Sequence, residues 1–197
     1  RISLDGEKTE LPMGNIQLPE LDSGIAWFIG LFHSIGHTFY HNEPNFGLIA
    51  KIELLFNSQD ESILSEKALS QLKRFDSKQS YQYIVNNKDV ISCKSTQLVQ
   101  YFDRFVKNPI SEIRVPDYIK NSTVDVRLAY IAGLIDKGSL YKPIYIVNTV
   151  YENFAHDIQN LLYTCGIEST FRKYSDSRRV LFQVILFSER SQRLISE

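Results

Sequence analysis

Cysteine is scarce in this chain: Cys93 and Cys165 are the only two, and no C-x-x-C pair exists. That excludes a thiolate zinc site and a dithiol redox motif. Both thiols lie in apolar surroundings, which predicts buried free cysteines and suits a reducing compartment, an organelle (plastid or mitochondrion) or the cytoplasm. Long hydrophobic runs are missing too. The longest, Ile25 to Phe32, falls far short of the roughly 20 apolar residues that span a bilayer, so no membrane partner is expected. No signal peptide is recognisable, and the first residue is Arg1, so the expectation is a chain processed, trimmed or cut from a longer protein. Neither sign of charge is in excess: 22 Lys and Arg stand against 23 Asp and Glu, a net charge of −1. Duplex binders draw much affinity from neutralising phosphates, so this balance lowers the expectation of tight DNA binding, although net charge hides how charge is distributed. No glycine-rich phosphate loop is present, and neither Ser34 nor Ser139 has a His and an Asp placed for a triad. No small-molecule substrate is expected.

What is present is apolar and aromatic. With 43% hydrophobic residues, 11 Tyr and 12 Phe, a chain of 197 residues can bury a core as one large domain or two small ones. Abundant Ile, Asn, Ser and Lys hint at an AT-rich, organellar coding genome.

Residues 1–18 read as an irregular leader or connection. A helix opens at 19–23, capped by Asp22 or Ser23, and ends near Gly36, where glycine takes the left-handed conformation. Residues 37–46 read as a loop and 47–56 as a strand, with Lys51 and Glu53 alternating against Ile52 and Leu54. Asp60 caps a helix to about Phe75 with Ile63, Leu64, Ala68 and Leu72 as its apolar stripe. Strands at 81–85 and 90–92 flank a turn at Asn86-Asn87, and a helix runs from Thr96 to Val106. Residues 114–119 form a link, Ser122 to Asp125 a capping box, and a helix continues to about Asp136. Then come a strand (145–150), a helix (153–163) ended by Gly166, a hairpin (168–174 and 180–187) and a last short helix. The same element order thus occurs twice.

The stretch Tyr130-Ile-Ala-Gly-Leu-Ile-Asp-Lys-Gly-Ser-Leu-Tyr141 resembles the LAGLIDADG motif of homing endonucleases and related intron maturases. A weaker copy, Trp27-Phe-Ile-Gly-Leu-Phe-His-Ser-Ile-Gly36, lies upstream, and the matched glycines Gly30 and Gly133 are 103 residues apart. Residues 145–149 and 161–167 are also similar to intein-borne and mating-switch-type members. The resemblance covers about residues 20–190. It implies an α+β fold of two pseudo-symmetric halves, each with antiparallel strands and helices, packed through two central motif helices. The division expected is 1–18 leader or connection, 19–113 first half and 114–197 second half. Glycine in mid-helix costs about 1 kcal/mol relative to alanine, and close approach of two backbones at Gly30 and Gly133 is the physical reason to accept that cost.

In that family the eighth motif residue is an acid that holds the catalytic metal, and divalent ions there activate water for in-line attack. Here the position is Ile35 in the first copy. In the second it is Gly138 without a gap, or Lys137 with one deletion. Neither supplies the acid. The expectation is a degenerate homing-endonuclease-like domain with no catalytic residues and no metal, kept as an inserted (intein or intron) or domesticated binding or structural domain. The alternative is an active site-specific double-stranded DNA endonuclease using Mg²⁺, or a maturase-like binder of intron RNA. Asp136 is the residual metal-ligand candidate. His33 stands opposite Asp136 by the repeat offset, so a His–Asp pair across the helices is an option beside a buried neutral histidine. His37 and His41 are an i, i+4 pair that would suit a metal only on a helix. Basic residues cluster at Lys73-Arg74, Arg172-Lys173 and Arg178-Arg179. The last two pairs flank a hairpin turn that resembles the family's DNA-facing ribbon, with Tyr81, Tyr83 and Tyr174 available for stacking. Partners expected are double-stranded DNA or structured RNA, bound weakly through Arg172, Lys173, Arg178 and Arg179, or a host protein or larger assembly.

Overall fold

The computed structural model describes residues 18–43, 47–57, 60–107, 113–137, 144–175 and 179–186. The expected leader (apart from Leu18), the last short helix, Gly138, Ser139 and Arg178 lie outside them. In chain order the elements are α1 (Ser23–Ile35), β1 (His37–Glu43), β2 (Gly47–Asn57), α2 (Ser62–Phe75), β3 (Ser80–Val85), β4 (Lys88–Cys93), α3 (Thr96–Tyr101) running into a π-helical turn (Phe102–Lys107), α4 (Asp117–Lys120), α5 (Val124–Ile135), β5 (Ile144–Thr149), α6 (Glu152–Thr164), β6 (Thr170–Ser175) and β7 (Val180–Leu186). The fold is α+β. One antiparallel sheet has the order β1-β2-β4-β3, the other β5-β7-β6.

Asp22 caps α1 by accepting from the Ile25 N–H at 2.9 Å, and residues 25 to 32 of that helix are all buried. A helix apolar on every side has to lie inside the molecule. Its partner is α5, and the two glycines explain the fit. A Cβ on Gly30 would overlap the Tyr130 carbonyl and come within 3.2 Å of the Leu134 nitrogen. A Cβ on Gly133 would overlap the Trp27 carbonyl and come within 2.8 Å of the Leu31 nitrogen. Each glycine meets the carbonyl three residues before the other glycine and the nitrogen one residue after it. The contact is two-fold symmetric and made of backbone.

Several expectations need correction. Gly36 is extended (φ −75°), not left-handed; a side chain there would strike the Phe32 ring, so packing rather than dihedral freedom asks for glycine. The expected loop at 37–46 contains β1, paired with β2 from His37 opposite Glu53 to Glu43 opposite Gly47. Its residues show no clean polar–apolar alternation because it is an edge strand with exposed side chains on both faces. On α2, Ile63 is 83% exposed, and the buried positions are Ser65, Ala68, Leu72 and Phe75. The helix starts one residue later than a cap at Asp60 implies, with Glu61 at the N-cap. Thr123 caps α5 without a side-chain bond, because Ser122 Oγ turns back to the Ile119 carbonyl. Cys93 is buried, whereas Cys165 is only partly so. Gly166 (φ +74°) ends α6 in the left-handed conformation as expected, and Asn86 and Asn87 (φ 49° and 60°) make the β3–β4 turn.

The segment joining the halves is pinned by one carboxylate. Asp157 on α6 accepts from Arg114 at 2.7 and 2.8 Å, from the Val115 N–H at 3.1 Å and from Lys120 at 3.1 Å. Burial pushes Asp157 up, but these donors outweigh it and hold its carboxyl below the usual value.

The ends of the motif helices and a candidate nucleic-acid interface

The residue offset that maps Gly30 onto Gly133 also maps Trp27 onto Tyr130 and His33 onto Asp136. The structure uses this. Trp27 Nε1–H donates to Asp136 Oδ2 at 2.6 Å, and its symmetry counterpart joins Tyr130 to His33 Nδ1 at 2.7 Å. His33 and Asp136 therefore do not pair with each other. Each partners the aromatic residue six positions before its equivalent on the other helix. His33 Nε2 also meets the Val106 carbonyl, which can only accept. Nε2 then carries the proton and Nδ1 accepts from the Tyr130 hydroxyl. Burial pushes the Tyr130 phenol well above its ordinary value, so it stays a donor. Lys67 covers the other side of Trp27, 3.8 Å from its ring centroid.

Asp136 is exposed and caps α5, where the negative end of the helix disfavours a carboxylate. Its indole donor supplies the offsetting bond. Next to it, Lys137 is ion-paired with Glu61 and lies 5.4 Å from the Phe56 ring centroid. Burial pushes Glu61 up, but the Lys137 ammonium and the Asn57 N–H hold its carboxyl below the usual value. On α1 Ile35 packs against the core, and Gly138, the residue that the same offset pairs with it, lies outside the described residues. Ile35 has no ligating side-chain atom, and the Lys137 ammonium would repel a cation placed next to it, while the nearby Asp136 and Glu61 carboxylates are engaged by Trp27 and Lys137. Among the described residues no group of three or more His, Cys, Asp or Glu stands together. His37 and His41 lie on β1, where a spacing of four residues separates them by about 13 Å, too far to share one ion.

The sheets have two distinct faces. On β2 the inward set is Ala50, Ile52, Leu54 and Phe56, each at most 2% exposed. Alternation and register put Lys51, Glu53, His37, Phe39, Tyr81, Tyr83, Lys88 and Ser92 on the outward face. In the second sheet Arg172, Tyr174, Asn148 and Gln183 share the outward face. Lys173 has the opposite parity and lies 5.4 Å from the Phe182 ring. Arg179 is exposed beside β7. Arg172 and Lys173, two of the basic residues singled out from sequence, thus face opposite sides of the sheet. Lys73 is exposed on α2, while Arg74 is engaged by Asp22 at 2.8 and 2.9 Å.

Cations stand on the outward sheet faces although the helices carry charges of both signs. Lys51, Lys88 and Arg172 sit outward, and Lys94 reaches over the Tyr81 ring at 5.9 Å. Asp22, Asp60, Glu61, Glu66, Asp125, Glu152 and Asp157 all belong to helices or their ends. A chain of net charge −1 can therefore still present cations on its sheets. Tyr81 and Tyr83 stack on each other at 5.8 Å. Sequence reasoning noticed Lys51 and Glu53 only as a polar strand face. It missed Trp27 and Tyr130 as donors, although the repeat offset applied to the aromatics would have aligned them.

No family model matches the chain, and no curated protein does. Solved structures do. Mesophilic variants of the homing endonuclease I-DmoI match with a TM-score of 0.66 at 15% identity, over 89% of this chain and 94% of that one. I-DmoI in complex with DNA and Mn matches with a TM-score of 0.64 at 16% identity, over 87% and 93%. The N-terminal LAGLIDADG domain of DUF199/WhiA matches with a TM-score of 0.53 at 12% identity, over 92% and 82%. With the paired glycine helices and the two antiparallel sheets, these likenesses identify the architecture: the chain has the LAGLIDADG fold.

Proposed function

We propose that this protein is a degenerate homing-endonuclease-like domain that binds double-stranded DNA through the outward faces of its two sheets and does not cleave it. The observation that carries the reading is Lys137, held by Glu61 at the end of the second motif helix, where metal-dependent hydrolysis would need a carboxylate. Ile35 at the end of the first helix supports it, as does the engagement of Asp136 by the Trp27 indole. The cations of the outward faces support duplex binding, and a two-stranded β ribbon is narrow enough to enter the major groove. An inserted or domesticated domain has use for such a scaffold without its chemistry.

The test is incubation of the folded protein with a library of double-stranded DNA in Mg²⁺ or Mn²⁺. Salt-sensitive binding without double-strand breaks is the expected result. Specific cleavage that disappears in Asp136→Asn would overturn the reading and make Asp136 a metal ligand. Absence of duplex binding in a protein proved folded would overturn the DNA half and leave a role within a host protein.

A further inference from the structure

One acid occupies the middle of the outward face of the first sheet. Glu53 lies on β2, a central strand, and is only 8% exposed. Its Oε1 takes the Lys51 ammonium at 2.6 Å and the Tyr83 hydroxyl at 2.9 Å. The hydrogen bond to Glu53 pushes Lys51 up, and burial with that same bond pushes Tyr83 up, so both remain donors. Glu53 Oε2 has no protein donor among the described residues and is not sealed from solvent. Opposite Glu53 on β4, Ser92 Oγ is buried without a partner. An acid here weakens phosphate binding, and two donors fix its orientation. That combination suits reading a base rather than a backbone.

We propose that Lys51 and Glu53 together read one G·C base pair in the major groove, Lys51 donating to guanine O6 and N7 and Glu53 Oε2 accepting from cytosine N4–H. This rests on the duplex-binding reading. Guanine O6 and cytosine N4 lie side by side, joined by a hydrogen bond of about 2.9 Å, and Lys51 and Glu53 set a cation beside a carboxylate: the ammonium is held on Oε1 at 2.6 Å, which leaves Oε2 for the cytosine. Guanine offers a cation two adjacent acceptors, and the neighbouring cytosine offers the carboxylate a donor. An A·T pair would give the lysine one acceptor beside either the adenine amino group or the thymine methyl. Phosphate, the other target of a lysine, would be repelled by Glu53.

The experiment selects bound duplexes from a pool of randomised double-stranded DNA with wild type, Glu53→Gln and Tyr83→Phe, each checked for folding by thermal melting. The wild type should enrich a G·C pair at one position, with about tenfold or greater loss of affinity on replacing it. Glu53→Gln keeps an acceptor for Tyr83 and is isosteric, so it should fold. Its amide matches adenine N6 and N7, so the preference at that position should move to A·T. Tyr83→Phe frees Glu53 and should blur the preference without moving it. A merely structural Lys51–Glu53 pair would alter melting and leave the selected sequences unchanged. Duplex binding with identical preferences in wild type and Glu53→Gln overturns this inference alone. No duplex binding by folded wild type overturns the reading beneath it as well.

Discussion

Gly133→Ala tests the helix crossing most directly. On helix propensity alone the change should stabilise α5 by about 1 kcal/mol. Against that, the new Cβ would overlap the Trp27 carbonyl, with the Leu31 nitrogen at 2.8 Å and the Trp27 carbonyl carbon at 2.9 Å. All three obstacles are helical backbone, so no side chain can swing away and the helices have to part. Overpacking of a dense core costs about 1–3 kcal/mol. Parting also stretches the two symmetric bonds, Trp27 to Asp136 at 2.6 Å and Tyr130 to His33 at 2.7 Å, each worth about 1 kcal/mol net. The net expected loss is about 2–4 kcal/mol, a large share of the roughly 5–15 kcal/mol that holds a domain together. Gly24→Ala is the control. It lies in the same helix α1, but its Cβ would meet only the Gln71 and Arg74 side-chain ends, at 2.7 to 3.2 Å, which can move. Urea unfolding followed by the fluorescence of Trp27, the one tryptophan, reads both variants. Gly24→Ala should be neutral or slightly stabilising. If Gly133→Ala were as stable as wild type, the backbones would not be in contact there and the reasoning would fail.

Asp157→Asn should cost about 1.5–3 kcal/mol at neutral pH, as hydrogen bonds to charged groups do. Because the folded carboxyl titrates below its usual value of 3.8, the stability it supplies is present above that pH and lost as pH falls through the folded value. The gap between wild type and variant, measured by chemical unfolding, should therefore close below about pH 3.8, and a gap that widened on acidification would refute the clamp. Tyr130→Phe should cost about 1–2 kcal/mol by leaving His33 Nδ1 without its donor, and a melting temperature equal to wild type would show that bond to be worthless. For DNA, Arg172→Ala should flatten the dependence of log affinity on log salt by up to about 0.9, the slope expected per lost phosphate contact. Lys173→Ala, on the opposite face, should leave it unchanged, and equal effects of the two would remove the distinction between the faces.

The sequence by itself determined the helix pair and the repeat. Those are properties of residue type and spacing: a glycine in an apolar helix marks a place where only backbone fits, and its recurrence 103 residues on marks the second helix. The turn at Asn86-Asn87 and the stop at Gly166 were legible for the same reason, since few residues tolerate their dihedrals. The tertiary structure decided which groups meet. His33 and Asp136 occupy equivalent positions, yet the helix crossing directs each to the other helix's aromatic residue, a choice fixed by side-chain length and direction across a backbone contact. β1 is a strand because β2 offers an edge, not because its own residues alternate. The faces of the sheets were likewise undecided until register was known. A shift of one residue exchanges the two sides of a strand, and only the pairing sets Arg172 apart from Lys173 and places Lys51 and Glu53 together on the outward face.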